Sequence, residues 1–246
     1  MSSTSVSARP GHVSTVSSNP KSKFYIALTV LMAATVAVGF WPSYFGQLIH
    51  GLPARPWIIH VHGTVFVGWM TLLAIQVGLA ATGRVRTHRK LGTFGIAYGF
   101  LVLILGLIAG FAAPVIHFSA GEWSMDEAAA FLLLILGDMA LFGGFFMASV
   151  KYRRRPEVHK RLMVLATVAL VFAGAGRMEY LPVPVRMTIW LSPVFAGMVY
   201  DRVTRGKIHP TYWIGLGILL ALFPRVFVMQ TEAWLRFGRP LLGIFI

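Results

Sequence analysis

Seven long, uninterrupted apolar runs limit what this chain can fold into more than any other feature. They are Phe24–Phe45, Trp57–Ala81, Leu91–Phe118, Ala128–Val150, Leu162–Met178, Pro184–Tyr200 and Tyr212–Gln230, separated by short basic or proline-bearing stretches. A helix needs about 20 apolar residues to cross a hydrocarbon layer of ~30 Å. The runs are continuous rather than alternating, and too long for the strands of a barrel. Inside a bilayer each segment must also satisfy its own backbone groups, which selects helices. The expected fold is therefore an all-α polytopic membrane helical bundle with seven transmembrane helices, the fifth and sixth too short to tilt much. Composition agrees: 57% of the residues are hydrophobic and 12% are charged, against roughly 45–50% and about 25% in soluble domains. A water-soluble enzyme could not cover its surface with so few charges, and a disordered chain has few apolar residues and many charges. The absence of cysteine excludes a disulfide scaffold, a thiolate zinc or iron–sulfur site and a cysteine nucleophile.

Met1 to Lys23 is rich in Ser, Thr, Val and Pro and has no apolar run, so it reads as a disordered, solvated tail. Residues 24–246 then form a single domain. The first run has two readings, an uncleaved anchor or a secretory signal, since Leu31–Gly39 is small and apolar. The long tail and the continuation through Trp41 and Phe45 favour the anchor, and the other six helices keep their orientation either way.

The formal net charge of +14 suggests nucleic acid until the basic residues are located. With the N-terminus cytoplasmic, the tail, Gly83–Lys90, Lys151–Arg161 and Asp201–Pro210 all fall on the cytoplasmic side, and they carry 16 of the 22 Lys and Arg residues. Ser119–Glu127, on the opposite side, holds three acids and no Lys or Arg. This is a positive-inside pattern with an odd number of crossings. The basic loops are thus expected to meet membrane lipids through anionic headgroups, and no nucleic-acid partner is expected. Trp57, Trp190, Trp213 and Trp234 fit interfacial belts.

A short repeat links two of the basic stretches. Gly83-Arg-Val-Arg-Thr-His-Arg-Lys-Leu91 and Arg154-Arg-Pro-Glu-Val-His-Lys-Arg-Leu162 share a His, two basic residues and a Leu opening a helix, 71 residues apart. The repeat pairs the second and third runs with the fourth and fifth, and puts His88 and His159 at equal membrane depth. Two facing imidazoles can ligate haem iron axially, or another metal. Arg89, Lys90, Lys160 and Arg161 then suit the haem propionates as charge-assisted donors. The alternative is a pair of interfacial helix starts that bind phospholipid headgroups.

One face of the third run reads His88, Gly92, Gly95, Gly99, Val102, Gly106, Gly110, Ala113 and His117. Such a groove admits a flat ring or simply a closely packed backbone. His88 and His117 lie ~43 Å apart at 1.5 Å per residue, so both cannot sit deep in one core; Pro114 is expected to kink the end that carries His117. In the second run His60 and His62 diverge, two residues apart on a helix. His62, Trp69 and Gln76 recur on one face that should turn inward. His62 and His117 are a candidate second ligand pair, or plain hydrogen-bonding groups.

Asp138 lies near the centre of the fourth run, where an ionised carboxylate costs roughly 3 kcal/mol or more. Arg225, inside the seventh run, has a stem long enough to reach it. Arg177 and Glu179, with Gln230 and Glu232, add an outer polar layer. These groups read as an ion pair locking two helices, a proton or solute path, or support for a cofactor ligand. No phosphate-binding Gly-rich loop, His-Glu-x-x-His or Gly-x-Ser-x-Gly is present.

The strings Gln76-Val-Gly-Leu through Gly92, Leu136-Gly-Asp-Met139, Tyr152 through Met163 and Tyr200 through Pro210 resemble a family of uncharacterised bacterial multi-pass inner-membrane proteins, over most of residues 57–236. The resemblance implies the bacterial cytoplasmic membrane. A looser likeness is to transmembrane haem-b electron carriers with four histidines and two haems. It implies that His88 and His159 form one ligand pair and that the second pair comes from the second and fourth helices. The second helix offers His60 or His62; the fourth has no histidine and carries Asp138. Three expectations follow: a haem-b electron-transfer protein, a transporter built on Asp138, or an accessory subunit of a membrane complex.

Overall fold

The computed structural model describes residues 20–51 and 56–246. Most of the expected tail, Met1 to Asn19, lies outside the described residues. Pro20–Lys23, read above as the end of that tail, instead open the first helix. A proline is tolerated in a first helical turn, where its missing N–H has no partner anyway.

The helices are α1 (Pro20–Phe40), α2 (Gly46–His50), α3 (Trp57–Ala81), α4 (Val85–Ser119), α5 (Met125–Lys151), α6 (Pro156–Gly176), α7 (Val183–Arg205), α8 (Pro210–Leu222), α9 (Arg225–Val228) and α10 (Glu232–Gly243). Between α1 and α2 the path widens into a π-helical turn, Trp41–Phe45. Pro42 sits there and cannot donate to the α-helical ladder. Gly51, at φ 92°, ends this path in a backbone conformation that side chains other than hydrogen resist. The expected seven spans are present: seven helical segments are long and apolar enough to cross a membrane, with α1–α2 and α8–α9 each forming one of them.

Five helices close a ring in which α1 packs on α3, α3 on α4, α4 on α5, α5 on α6, and α6 back on α1. α7 and α8 cover the outside of α6, which makes α6 the most enclosed helix. Its Leu165, Val168 and Val171 are fully buried, as are Val102 of α4 and Phe142 of α5. α1 approaches α6 backbone to backbone: a methyl on Gly39 would overlap the Gly174 peptide, the small-residue contact that membrane helices use in place of a hydrophobic driving force. By contrast, Phe94, Phe100, Leu101, Ile104 and Ile108 form an exposed stripe on α4. In water that surface would aggregate; in hydrocarbon it is the expected outer face.

The structure corrects four sequence expectations. The fifth and sixth runs understate their helices, because α6 begins six residues earlier and α7 continues through Asp201 to Arg205. Arg161 and Asp201, assigned above to basic connections, are helical and buried, and they pair with each other. Trp190 is not interfacial: it is 1% exposed and donates from Nε1 to Val168 O at 2.9 Å. The seventh run is broken at Phe223–Pro224 and is followed by α10, a helix the apolar count does not contain. α10 is amphipathic and docks on α5. Leu235, Gly238 and Leu242 face inward, Trp234 Nε1 donates to Ala129 O at 2.8 Å, and Arg239 grips both oxygens of Asp126 at 2.6 and 2.9 Å.

Candidate functional site

At the end of the ring bearing the basic turns, the five helices leave a cavity of about 350 Å³. Tyr25, Thr29 and Met32 of α1, Trp69 and Gln76 of α3, His88, Gly92 and Gly95 of α4, Phe146 and Ser149 of α5, and His159, Lys160 and Met163 of α6 are among its walls. Its inner wall includes Trp69, held by Nε1 donating to Thr167 Oγ1 at 3.4 Å and by edge contacts to Phe142 and Phe146.

His88 and His159 both line this space, each in the first turn of its helix. The sequence repeat is also a structural one. His88 Nδ1 lies 3.2 Å from Gln76 O near the end of α3, and His159 Nδ1 lies 3.0 Å from Ser149 O near the end of α5. A carbonyl oxygen only accepts, so each of these contacts calls for the proton on Nδ1, the tautomer that leaves Nε2 with a bare lone pair. Neither Nε2 has a protein partner among the described residues.

His88 has a second neighbour that His159 lacks. With the Gln76 amide nitrogen turned to His88 O (3.1 Å), its oxygen accepts from Gly92 N (2.8 Å), and the nitrogen lies 2.6 Å from His88 Nδ1. The Gln76 carbonyl and the Gln76 side chain therefore compete for opposite tautomers of His88. The first needs the proton on Nδ1, the second on Nε2.

The four cations named as propionate partners separate. Lys160 lines the cavity; its Nζ lies 2.8 Å from Glu157 Oε1 and 5.1 Å over the Tyr25 ring. Arg161 does not. It is 1% exposed, its guanidinium grips both oxygens of Asp201, and Nη1 donates to Glu157 Oε2 at 2.9 Å. Arg205 also bonds Glu157 Oε2. Arg89 and Lys90 are exposed and stand apart from the cavity wall.

The expected outer pair does not assemble. His62 lies tilted against Phe66 with ring centroids 4.1 Å apart, and its buried Nδ1 has no partner among the described residues. His117 instead bonds Glu122 at 2.5 Å and stacks on Trp123 at 4.3 Å. His60 Nδ1 is 3.0 Å from Tyr44 Oη. Among the described residues no three His, Cys, Asp or Glu side chains gather as a metal site.

Asp138 and Arg225 do meet, both nearly fully buried. The break after α8 makes this possible: Arg225 starts α9, donates from Nη1 to Leu222 O at 2.8 Å across the end of α8, and lies 5.2 Å over the Phe172 ring. Gly137 is the opening through which it passes, since a methyl there would overlap the Arg225 side chain. Arg177 bonds Ala173 O and covers Phe40 at 4.2 Å, while Glu179 is exposed; neither reaches the Asp138 pair.

His209, missed in the sequence, opens α8. Its backbone N donates to Asp201 Oδ2 at 3.1 Å and its Nδ1 accepts from Thr211 N at 3.2 Å. Burial and then the charges of Arg161 and Arg205 hold its pKa below the ordinary imidazole value of 6.5.

No family model, curated protein or solved structure matches the chain. The resemblances read from its sequence thus gain no support there, and its class rests on the helices themselves. This is a multi-pass integral membrane protein.

Proposed function

We propose that the cavity binds haem b, that His88 and His159 would hold its iron, and that the protein carries electrons in the cytoplasmic membrane of a bacterium. When bound, haem supplies one-electron redox chemistry. The chain's contribution is to orient two imidazoles, exclude water and supply an apolar slot. The observation that carries this reading is the pair of Nδ1-to-carbonyl contacts on two repeat-related histidines that share one cavity. Metal-binding imidazoles usually donate their other ring nitrogen to a carbonyl or carboxylate, which fixes tautomer and ring orientation. The volume lies within the ~300–1,000 Å³ typical of ligand sites, and glycines at 92 and 95 leave one wall flat. Arg161 is excluded as a propionate partner by its engagement with Asp201; Lys160 fits that role.

The charge distribution supports placing the N-terminus and the cavity end in the cytoplasm, with exposed Arg84, Arg86, Arg89 and Lys90 meeting anionic headgroups. The Asp138–Arg225 contact supports a structural role for Asp138 rather than transport, since its carboxylate is neutralised by a partner on α9.

The test is an absorption spectrum of the purified full-length protein supplied with haem. A Soret band that is lost in His88→Ala and in His159→Ala, and kept in His62→Ala and His117→Ala, is the expected result. A band equally strong in all four variants would remove the assignment.

A further inference from the structure

Among the described residues lining the cavity, Lys160 is the one with a permanent charge. Its present partner, Glu157, is oversupplied with cations. Oε2 of Glu157 accepts from both Arg161 and Arg205, so Lys160 on Oε1 is the third positive group on one carboxylate. Asp201 is already held by Arg161 and by the backbone of His209. The group Lys160, Arg161 and Arg205 against Glu157 and Asp201 therefore carries one excess positive charge, and Lys160 is the member that borders the cavity. Its half-buried amine also lies over the Tyr25 ring, a contact that steadies a cation at the rim without neutralising it.

We infer that the ligand of this cavity is an amphipathic acid, with a carboxylate on an apolar body, and that Lys160 leaves Glu157 to bind that carboxylate. Leaving costs little, because Arg161 and Arg205 keep Glu157 neutralised. The inference deepens the haem reading and rests on it for the flat shape of the apolar body. It does not rest on iron, because the acid is recognised by Lys160 and the metal by the two imidazoles.

Matched probes separate the two ideas. Protoporphyrin IX and its dimethyl ester have the same ring, no metal, and differ in their carboxylates. Binding of each to the full-length protein in nanodiscs can be followed by quenching of tryptophan fluorescence, Trp69 being part of the cavity wall. The acid is expected to bind about tenfold tighter than the ester, the scale of one charge-assisted contact worth ~1.4 kcal/mol. The preference should fall to about twofold or less in Lys160→Gln, and persist in Lys160→Arg. Equal binding of acid and ester, binding of neither, or a full preference in Lys160→Gln would each overturn the inference. If the porphyrin acid is preferred through Lys160 while haem gives no Soret band, the iron-ligand reading fails and the inference stands.

Discussion

The two ends of this bundle treat their polar groups differently. Toward the end of the Ser119–Glu127 turn, Asp138 and Arg225 close on each other, Asp126 is gripped by Arg239, and His117 is bonded by Glu122. At the basic end two imidazoles and an amine border open space, and neither Nε2 has a partner among the described residues. A polar group in apolar surroundings costs free energy unless it is bonded. At the first end the opposite charges meet that requirement within the chain, Asp138 with Arg225, while His62 Nδ1 and Arg225 Nε stay buried without a hydrogen bond among the described residues. At the second end both Nδ1 atoms and the Lys160 amine are bonded within the chain and the two histidines also line an open cavity, which is why function is proposed there.

The comparison predicts different failures at the two ends. The largest stability loss belongs to the paired end: Asp138→Asn or Arg225→Gln alone should cost about 3–5 kcal/mol, because each leaves an unbalanced buried partner. Thermal unfolding in detergent would read this, and the double variant should recover much of the loss. Full stability of Asp138→Asn, together with lost solute or proton movement, would transfer the functional assignment to that end.

Next in size is Gly137→Ala, whose methyl overlaps the Arg225 stem. Overpacking of this kind costs about 1–3 kcal/mol, again read as a lower unfolding temperature. No change would mean that Arg225 reaches Asp138 by another path.

At the open end, Gln76→Glu should cost some stability, because a carboxylate oxygen then faces His88 O, and should alter the properties of haem supplied to the protein. A carboxylate beside His88 Nδ1 accepts its proton, secures the Nε2 lone pair and makes the imidazole a stronger donor. The reduction potential should fall relative to wild type, and Gln76→Leu should shift it less. Identical potentials in all three proteins would show that Gln76 does not govern the His88 tautomer.

The smallest effect is a pH dependence at the start of α8. His209 has a folded pKa below its unfolded value of 6.5, so the unfolded chain binds the proton more readily. Its contribution is complete above about pH 6.5 and declines as pH falls from there toward the folded value. Protonation also removes the Nδ1 acceptor that caps Thr211 N. Unfolding temperatures measured from pH 8 down to 5 should show this decline and should flatten in His209→Asn, which caps without titrating. An equal slope in both proteins would place the titration elsewhere.

The spans were legible because lipid leaves a helix no alternative, and the equal depth of His88 and His159 was legible because their local sequences repeat. The Asp138–Arg225 contact could be anticipated because a carboxylate in mid-membrane needs a counter-ion. Other features required three dimensions. Arg161 looked like one more interfacial cation, and only the fold of α7 beside α6 brings Asp201 to it. His62 and His117 looked like a pair, yet each has its own local neighbours. α10 escaped a search for apolar runs because it is short and half polar, and the start of its docking helix α5, set by a Ser124–Glu127 capping box, lies before the apolar run that marks the span. The cavity itself depends on α1 closing the ring between α3 and α6, which no run or motif specifies.

The most direct test of the account is electron paramagnetic resonance of the oxidised, haem-supplied protein. Iron held by His88 and His159 must be six-coordinate and low-spin, and either alanine variant should convert it to a high-spin form or release it. High-spin iron in the wild-type protein, or a low-spin signal unchanged in both variants, would contradict the claim that these two imidazoles share one ligand.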